Sequence, residues 1–176
     1  MINLSDRSRE VCAAAVLIAL TVGATTVLRL PAFGSKLYFH FGEAVILVSA
    51  LLGGRRLGAW VGGVGAAAAD VILGLLVWAP VSFAIHGIEG YIVGSLSDGK
   101  GGRRDAKALG YGAFFMVAAY ALAAAFIYGK AAVPVQITGD VAQASVGVLV
   151  AWFVASAVRR ACPALILRRD RGRGAS

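Results

Sequence analysis

The chain has 176 residues, 59% of them apolar, with 23 glycines and a mean hydropathy of +0.79. Its apolar runs approach bilayer length and do not alternate, which excludes both a soluble domain with polar faces and a transmembrane β-barrel. The formal charge is +8, but the basic residues lie in loops and tails, so topology and anionic lipid explain them better than nucleic acid.

Residues 1–10 are polar, with Arg7 and Arg9 beside Asp6 and Glu10. Residues 11–28 form an unbroken apolar run. The run is long for a signal peptide and no small-residue cleavage site closes it, so it reads as a retained first helix. Ala15, Ala19 and Gly23 fall on one face of it at four-residue spacing, a pattern that admits close approach by another helix. Residues 29–38 read as a loop, with Pro31 and Gly34 as breakers. The second helix is expected over 39–52, ending at Gly53-Gly54-Arg55-Arg56, and the third over 57–77 with Gly58, Gly62, Gly65 and Ala69 near one stripe. Trp78-Ala79-Pro80 reads as a turn at the membrane interface. The fourth helix is expected over 81–96, the fifth over 109–128 and the sixth over 140–158, with polar loops at 97–107 and 129–139 and a basic tail at 159–176. Cys12 and Cys162 read as small apolar fillers, not as a disulfide or metal ligands.

The expected fold is therefore all-α: one polytopic membrane domain over 1–176 with six transmembrane helices. With the N-terminus in the cytoplasm, Arg7, Arg9, Arg55, Arg56, the four basic residues of 97–107 and the arginines of the tail all fall inside. Only Arg29, Lys36 and Lys130 remain outside, so both termini are expected to be cytoplasmic.

Charges inside apolar helices are costly and mark function by default. Glu43, Asp70, His86 and Glu89 all fall in the outer halves of their helices in this topology, and His40 falls at the outer mouth. A channel or proton relay needs polar groups along its whole path, whereas a pocket open to the outside needs them on one side only. Tyr38, Trp78, Tyr120, Gln136 and Gln143 complete the candidate lining. The spacing His40-x-x-Glu43 recurs as His86-x-x-Glu89, which puts each pair on one helix face and also suits a metal. The alternative reading is thus a membrane metal-binding protein or metal permease using His40, Glu43, His86 and Glu89. Mutual hydrogen bonding of His86 with Glu89, and an Asp70 clamp to the backbone or to Ser82, are the structural alternatives. No Walker A, G-x-S-x-G or H-E-x-x-H motif is present, so no enzyme is expected, and active transport would need an external source of energy.

Residues 40–70 and 78–94 together resemble the S component of an energy-coupling factor (ECF) vitamin transporter, in the riboflavin-type group that also includes proteins assigned to pyridoxine or hydroxymethylpyrimidine. The residues that carry the resemblance are Gly42-Glu43, the turn Gly54-Arg55-Arg56-Leu57-Gly58, Ala69-Asp70 and His86-Gly87-Ile88-Glu89-Gly90. Glu43 replaces the aspartate usual in that group, and His86 stands where lysine is common. The resemblance implies a six-helix subunit that captures a vitamin or precursor from outside a prokaryotic cell, in a pocket near the outer face. It implies docking on a transmembrane coupling subunit with two cytoplasmic ATPases, through the face that carries Ala15, Ala19 and Gly23. The chain itself then needs no cofactor, ATP being hydrolysed by its partners. Because no Arg or Lys falls in the outer half of a helix, a small neutral or weakly cationic heteroaromatic suits the pocket better than a phosphorylated one. Pyridoxine or hydroxymethylpyrimidine is expected ahead of riboflavin.

Overall fold

A computed structural model describes residues 4–27, 29–32 and 37–162, with side chains described over 8–27 and 41–162. Within these residues there are five α-helices and one two-stranded hairpin. The helices are α1 (Leu4–Thr26), α2 (Gly42–Ile72), α3 (Trp78–Leu96), α4 (Arg103–Tyr128) and α5 (Val133–Ala161). Strands β1 (Arg29–Ala32) and β2 (Leu37–His40) pair antiparallel between α1 and α2.

Helix α2 is 31 residues long on paper, but Gly54 breaks it with φ 82° and ψ −172°. A positive φ of this kind is open to glycine and strained for other residues. The packing shows what the break does. A Cβ on Gly58 would lie 2.7 Å from Cβ of Ala50, and one on Gly62 would lie 3.1 Å from Cγ2 of Ile46. In a continuous helix Ile46 and Gly62 would be roughly 24 Å apart at 1.5 Å per residue. The chain therefore folds back at Gly54, and α2 is a hairpin of two limbs, 42–53 and 55–72. The separate second and third helices expected from sequence correspond to these limbs, joined at one glycine rather than by a loop.

The second limb then packs antiparallel on α3 through glycines from both sides. A Cβ on Gly58 would lie 2.6 Å from the carbonyl oxygen of Gly90, and one on Gly62 would overlap the carbonyl oxygen of His86. Backbones approach this closely only where side chains are absent. On the other side of the limb, Gly65 abuts Thr21 of α1. Helix α4 returns antiparallel to α3, since Ser97 meets Asp105 at one end and Ser82 meets Tyr120 near the other. Helix α5 runs parallel to the first limb of α2: Gly147 lies on Glu43, and Leu47, Ala50 and Leu51 share a core with Ala151 and Ala155.

Several boundaries differ from expectation. Residues 29–32 and 37–40 form a hairpin instead of a loop, so Phe39 and His40 belong to β2 and α2 begins at Gly42. The second limb stops at Ile72, before a turn with Gly74 at φ 74°. Helix α3 begins at Trp78 instead of Val81, and α5 at Val133 instead of Asp140. Pro80, expected in a turn, and Pro134, expected in the 129–139 loop, both sit in first turns of helices, where proline costs no helical hydrogen bond. Helix α4 starts six residues early, at Arg103, because its charged first turn is held by Asp105. The Asp105 carboxylate accepts bonds from Ser97 Oγ (2.6 Å), the backbone N–H of Asp98 (3.1 Å), Gly99 (3.1 Å) and Gly101 (2.9 Å), and Arg159 Nη2 (2.8 Å). That cluster ties the α3–α4 loop to the end of α5.

The alternating directions sort the molecule into two ends. Arg55, Arg56, the basic residues of 100–107, Arg159 and Arg160 lie at one. The β-hairpin, the start of α3, the end of α4 and the start of α5 lie at the other. Four stretches, Ser8–Thr26, Gly42–Ile72, Arg103–Tyr128 and Lys130–Ala161, are long and apolar enough to cross a membrane. Phe114, Phe126, Phe153 and Trp60 are exposed on the outside of the bundle, as lipid contact requires. The two cysteines are exposed as well, so they fill no core. One apolar core cluster sits toward the basic end, around Leu47, Leu51, Val93 and Leu109, and a smaller one, Ile85, Met116 and Ala144, sits in the half nearer the hairpin.

Candidate functional site

In the half nearer the hairpin, polar side chains converge where α2, α3, α4 and α5 meet. Glu43, near the start of α2, is 0% exposed and is pressed from behind by Gly147 of α5. Glu89 of α3 is also 0% exposed, and Gly112 of α4 leaves room for its Cγ. His86, one turn before Glu89, turns Nδ1 toward both: 2.9 Å from Oε2 of Glu89 and 3.4 Å from Oε2 of Glu43. With carboxylates as acceptors, Nδ1 carries the hydrogen. Both oxygens of Glu43 and Oε1 of Glu89 accept no hydrogen bond from any other described group, and the two carboxyls lie within hydrogen-bond reach of each other. Buried polar atoms are nearly always satisfied in native proteins, so three unsatisfied oxygens at one point ask for an explanation.

An aromatic series leads to this point from the hairpin end. The rings of Tyr128 and Trp78 are 5.8 Å apart, those of Trp78 and Tyr120 5.7 Å, and those of Tyr120 and His86 5.4 Å. Each polar tip is fixed. Trp78 Nε1 donates to Tyr128 Oη (2.8 Å), and Tyr120 Oη donates to Ser82 Oγ (2.7 Å). From α5, Asp140 accepts both bonds of the Gln136 amide, at 2.9 and 3.0 Å, and lies within electrostatic reach of Glu43 and Glu89. Among the described residues, no lysine or arginine forms an ion pair with Glu43, Glu89 or Asp140.

The structure thus gathers Glu43, His86, Glu89, Trp78, Tyr120 and Gln136 in one region. Asp70 is half-buried near the end of the second limb of α2, within electrostatic reach of Tyr120. Ser82 is bonded to Tyr120 rather than to Asp70. Gln143 is half-buried on α5. The side chains of Tyr38 and His40 lie outside the described residues. His40 is in β2 and Glu43 in α2, so the two do not share the helix on which their spacing was to pair them. The mutual bond of His86 and Glu89 is present, yet it uses only one of the four oxygens of the two glutamates. Sequence reading passed over Asp140, Tyr128, Gly112 and Gly147, and offered Ser82 only as a partner for Asp70. The available signal was Gln136-x-x-x-Asp140, a polar pair at helical spacing, hidden by placing the start of the last helix too late.

Chemically, the arrangement offers acceptors in excess, one imidazole and stacked aromatic faces. It has no nucleophile poised against a base. Oxygens of Glu43 and Glu89 and Nδ1 of His86 lie within 4.8 Å of one another, a set that can also hold a metal ion.

Residues 6–160 match the family described as the ECF-type riboflavin transporter, S component. The chain is also 36% identical over 133 residues to a protein of Pyrococcus woesei described as "Uncharacterized protein in gap 3'region", covering 75% of this chain and 88% of that one. With the match running from the first helix through the last, over a multi-pass bundle of apolar helices, the chain belongs to the S components of ECF transporters, substrate-binding subunits of membrane transport rather than enzymes.

Proposed function

We propose that the protein captures a small heteroaromatic vitamin or vitamin precursor from outside a prokaryotic cell and delivers it to an ECF importer. Pyridoxine or hydroxymethylpyrimidine is favoured over riboflavin. In this reading the two limbs of α2 count as separate spans. The bundle then has six transmembrane helices, with its basic end and both termini in the cytoplasm and the hairpin outside. The observation that carries the reading is the buried Glu43–His86–Glu89 cluster at the inner end of the aromatic series. Stacked rings suit a flat heteroaromatic, and unsatisfied acceptors suit its amino groups, its hydroxyls and a protonated ring nitrogen. Glycines rather than bulky side chains back the two glutamates, Gly147 behind Glu43 and Gly112 beside Glu89.

Energy comes from partners: a coupling subunit in the membrane and two ATPases below it, with no cofactor bound by this chain. Ala15 and Ala19 on α1 are exposed, and a Cβ on Gly23 would meet nothing within 4 Å. This small-residue face is turned away from the rest of the bundle, which supports it as the surface the coupling subunit contacts.

Competition binding tests the substrate class. The free alcohol form of the ligand is expected to bind far more tightly than its phosphate ester, because among the described residues a buried phosphate beside Glu43 and Glu89 has no lysine or arginine to face. Equal binding of the two would overturn the reading of the pocket's charge. The metal reading is supported by the compactness of the Glu43, His86 and Glu89 ligand set. Stoichiometric zinc, nickel or cobalt in the purified protein would favour it.

A further inference from the structure

Among the described residues, buried carboxylates outnumber the cations that face them. Glu43 and Glu89 are 0% exposed and Asp140 is 9% exposed. Asp140 is within electrostatic reach of both glutamates and of His86. Facing these three acids are one imidazole and the neutral amide of Gln136. The buried arginine pair of the described bundle, Arg159 with Asp105, is at the opposite end. With one proton shared between Glu43 and Glu89, whose carboxyls lie within hydrogen-bond reach of each other, the pair and Asp140 still carry two negative charges, faced among the described residues by His86. Both oxygens of Glu43 and Oε1 of Glu89 are buried, accept no hydrogen bond from any other described group, and face the same small volume. An uncompensated buried carboxylate is strongly unfavourable, and it is relieved by a partner that is both charged and a hydrogen-bond donor.

Resting on the reading of this site as a substrate pocket, we propose that the captured molecule is bound as a cation. A protonated amine or ring nitrogen donates to the free oxygens of Glu43 and Glu89, Asp140 adds negative potential from α5, and the ring lies along Tyr120 and Trp78. The aromatic series distinguishes an organic cation from a metal ion. Tyrosine and tryptophan faces attract a positively charged heterocycle or ammonium group, whereas Trp78 has no ligand atom to give a metal. The proposal is narrower than vitamin capture in general, since a neutral ring held only by stacking would leave the glutamate oxygens as unsatisfied as they stand.

The test uses the full-length protein in detergent and isothermal calorimetry. The probes are pyridoxamine and 4-amino-5-hydroxymethyl-2-methylpyrimidine. Each is paired with an isostere in which every basic nitrogen is replaced by C–H or hydroxyl. At least one basic probe is expected to bind about 100-fold more tightly than its isostere, as loss of one partner of a buried charge pair would give. Glu43→Gln and Glu89→Gln, which keep side-chain shape, are each expected to shrink that difference to less than about tenfold. An isostere that binds as tightly as its basic partner overturns the cation proposal and leaves vitamin capture standing. If no probe binds, or if Zn²⁺ alone binds stoichiometrically and is lost in Glu43→Gln, the cation proposal and the capture reading fall together.

Discussion

Glu43 and Glu89 aim one oxygen each at the same nitrogen of His86, and glycines make this possible. A Cβ on Gly147 would overlap Cγ of Glu43 and lie 3.0 Å from its Cβ. Gly147→Ala must therefore push Glu43 away from His86 or open the α2–α5 contact. Overpacking of this kind costs about 1–3 kcal/mol. Calorimetry on Gly147→Ala is expected to show ligand affinity reduced about tenfold or more; unchanged affinity would place Glu43 outside the pocket. At this scale the sequence was informative about His86, Glu89 and Glu43, because charges stand out in apolar helices. It was silent about Gly147 and Gly112, whose role depends on which helix they face.

The elements were legible where apolar runs are long and misplaced where local chemistry overrides the run. Pro80 and Pro134 look like stops, yet each starts a helix. Gly54 looks like one residue of a loop, yet it alone reverses the chain within α2. The hairpin of 29–40 was missed because its strands are four residues each, too short for a period-two pattern to emerge. The expected glycine stripe of the third helix was right in kind: Gly58 and Gly62 meet α3, while Gly65 turns to α1. At the basic end, Asp105 holds the α3–α4 loop and Arg159 in one cluster, with Asp105 fully buried. Asp105→Ala is expected to cost about 3–5 kcal/mol, because it strands the partly buried guanidinium and four other donors. Thermal unfolding should fall clearly, while ligand affinity stays within about twofold because the site is at the other end. A large loss of affinity with no loss of stability would contradict this division of the molecule.

As a whole, the bundle keeps the proposed capture site apart from the proposed docking face. The polar site lies in the half toward the hairpin, the larger apolar core cluster lies toward the basic end, and Ala15, Ala19 and Gly23 look outward from α1. Leucine at position 15 or 19 adds bulk where nothing inside the protein is touched, but where a partner helix would need to come close. Ala15→Leu and Ala19→Leu are therefore expected to bind ligand normally and to lose most ECF-dependent uptake in reconstituted vesicles. Wild-type uptake in both would move the docking face elsewhere. The most direct test of the central claim, that Glu43, His86 and Glu89 form the floor of a substrate pocket, is mass spectrometry of the small molecules that purify with the protein. The wild-type protein is expected to carry a small heteroaromatic compound at about one per chain, and Glu89→Gln, purified alongside and equally folded, to carry at most about a tenth as much. A ligand retained equally by both proteins, or a stoichiometric metal ion in place of any organic molecule, would contradict it.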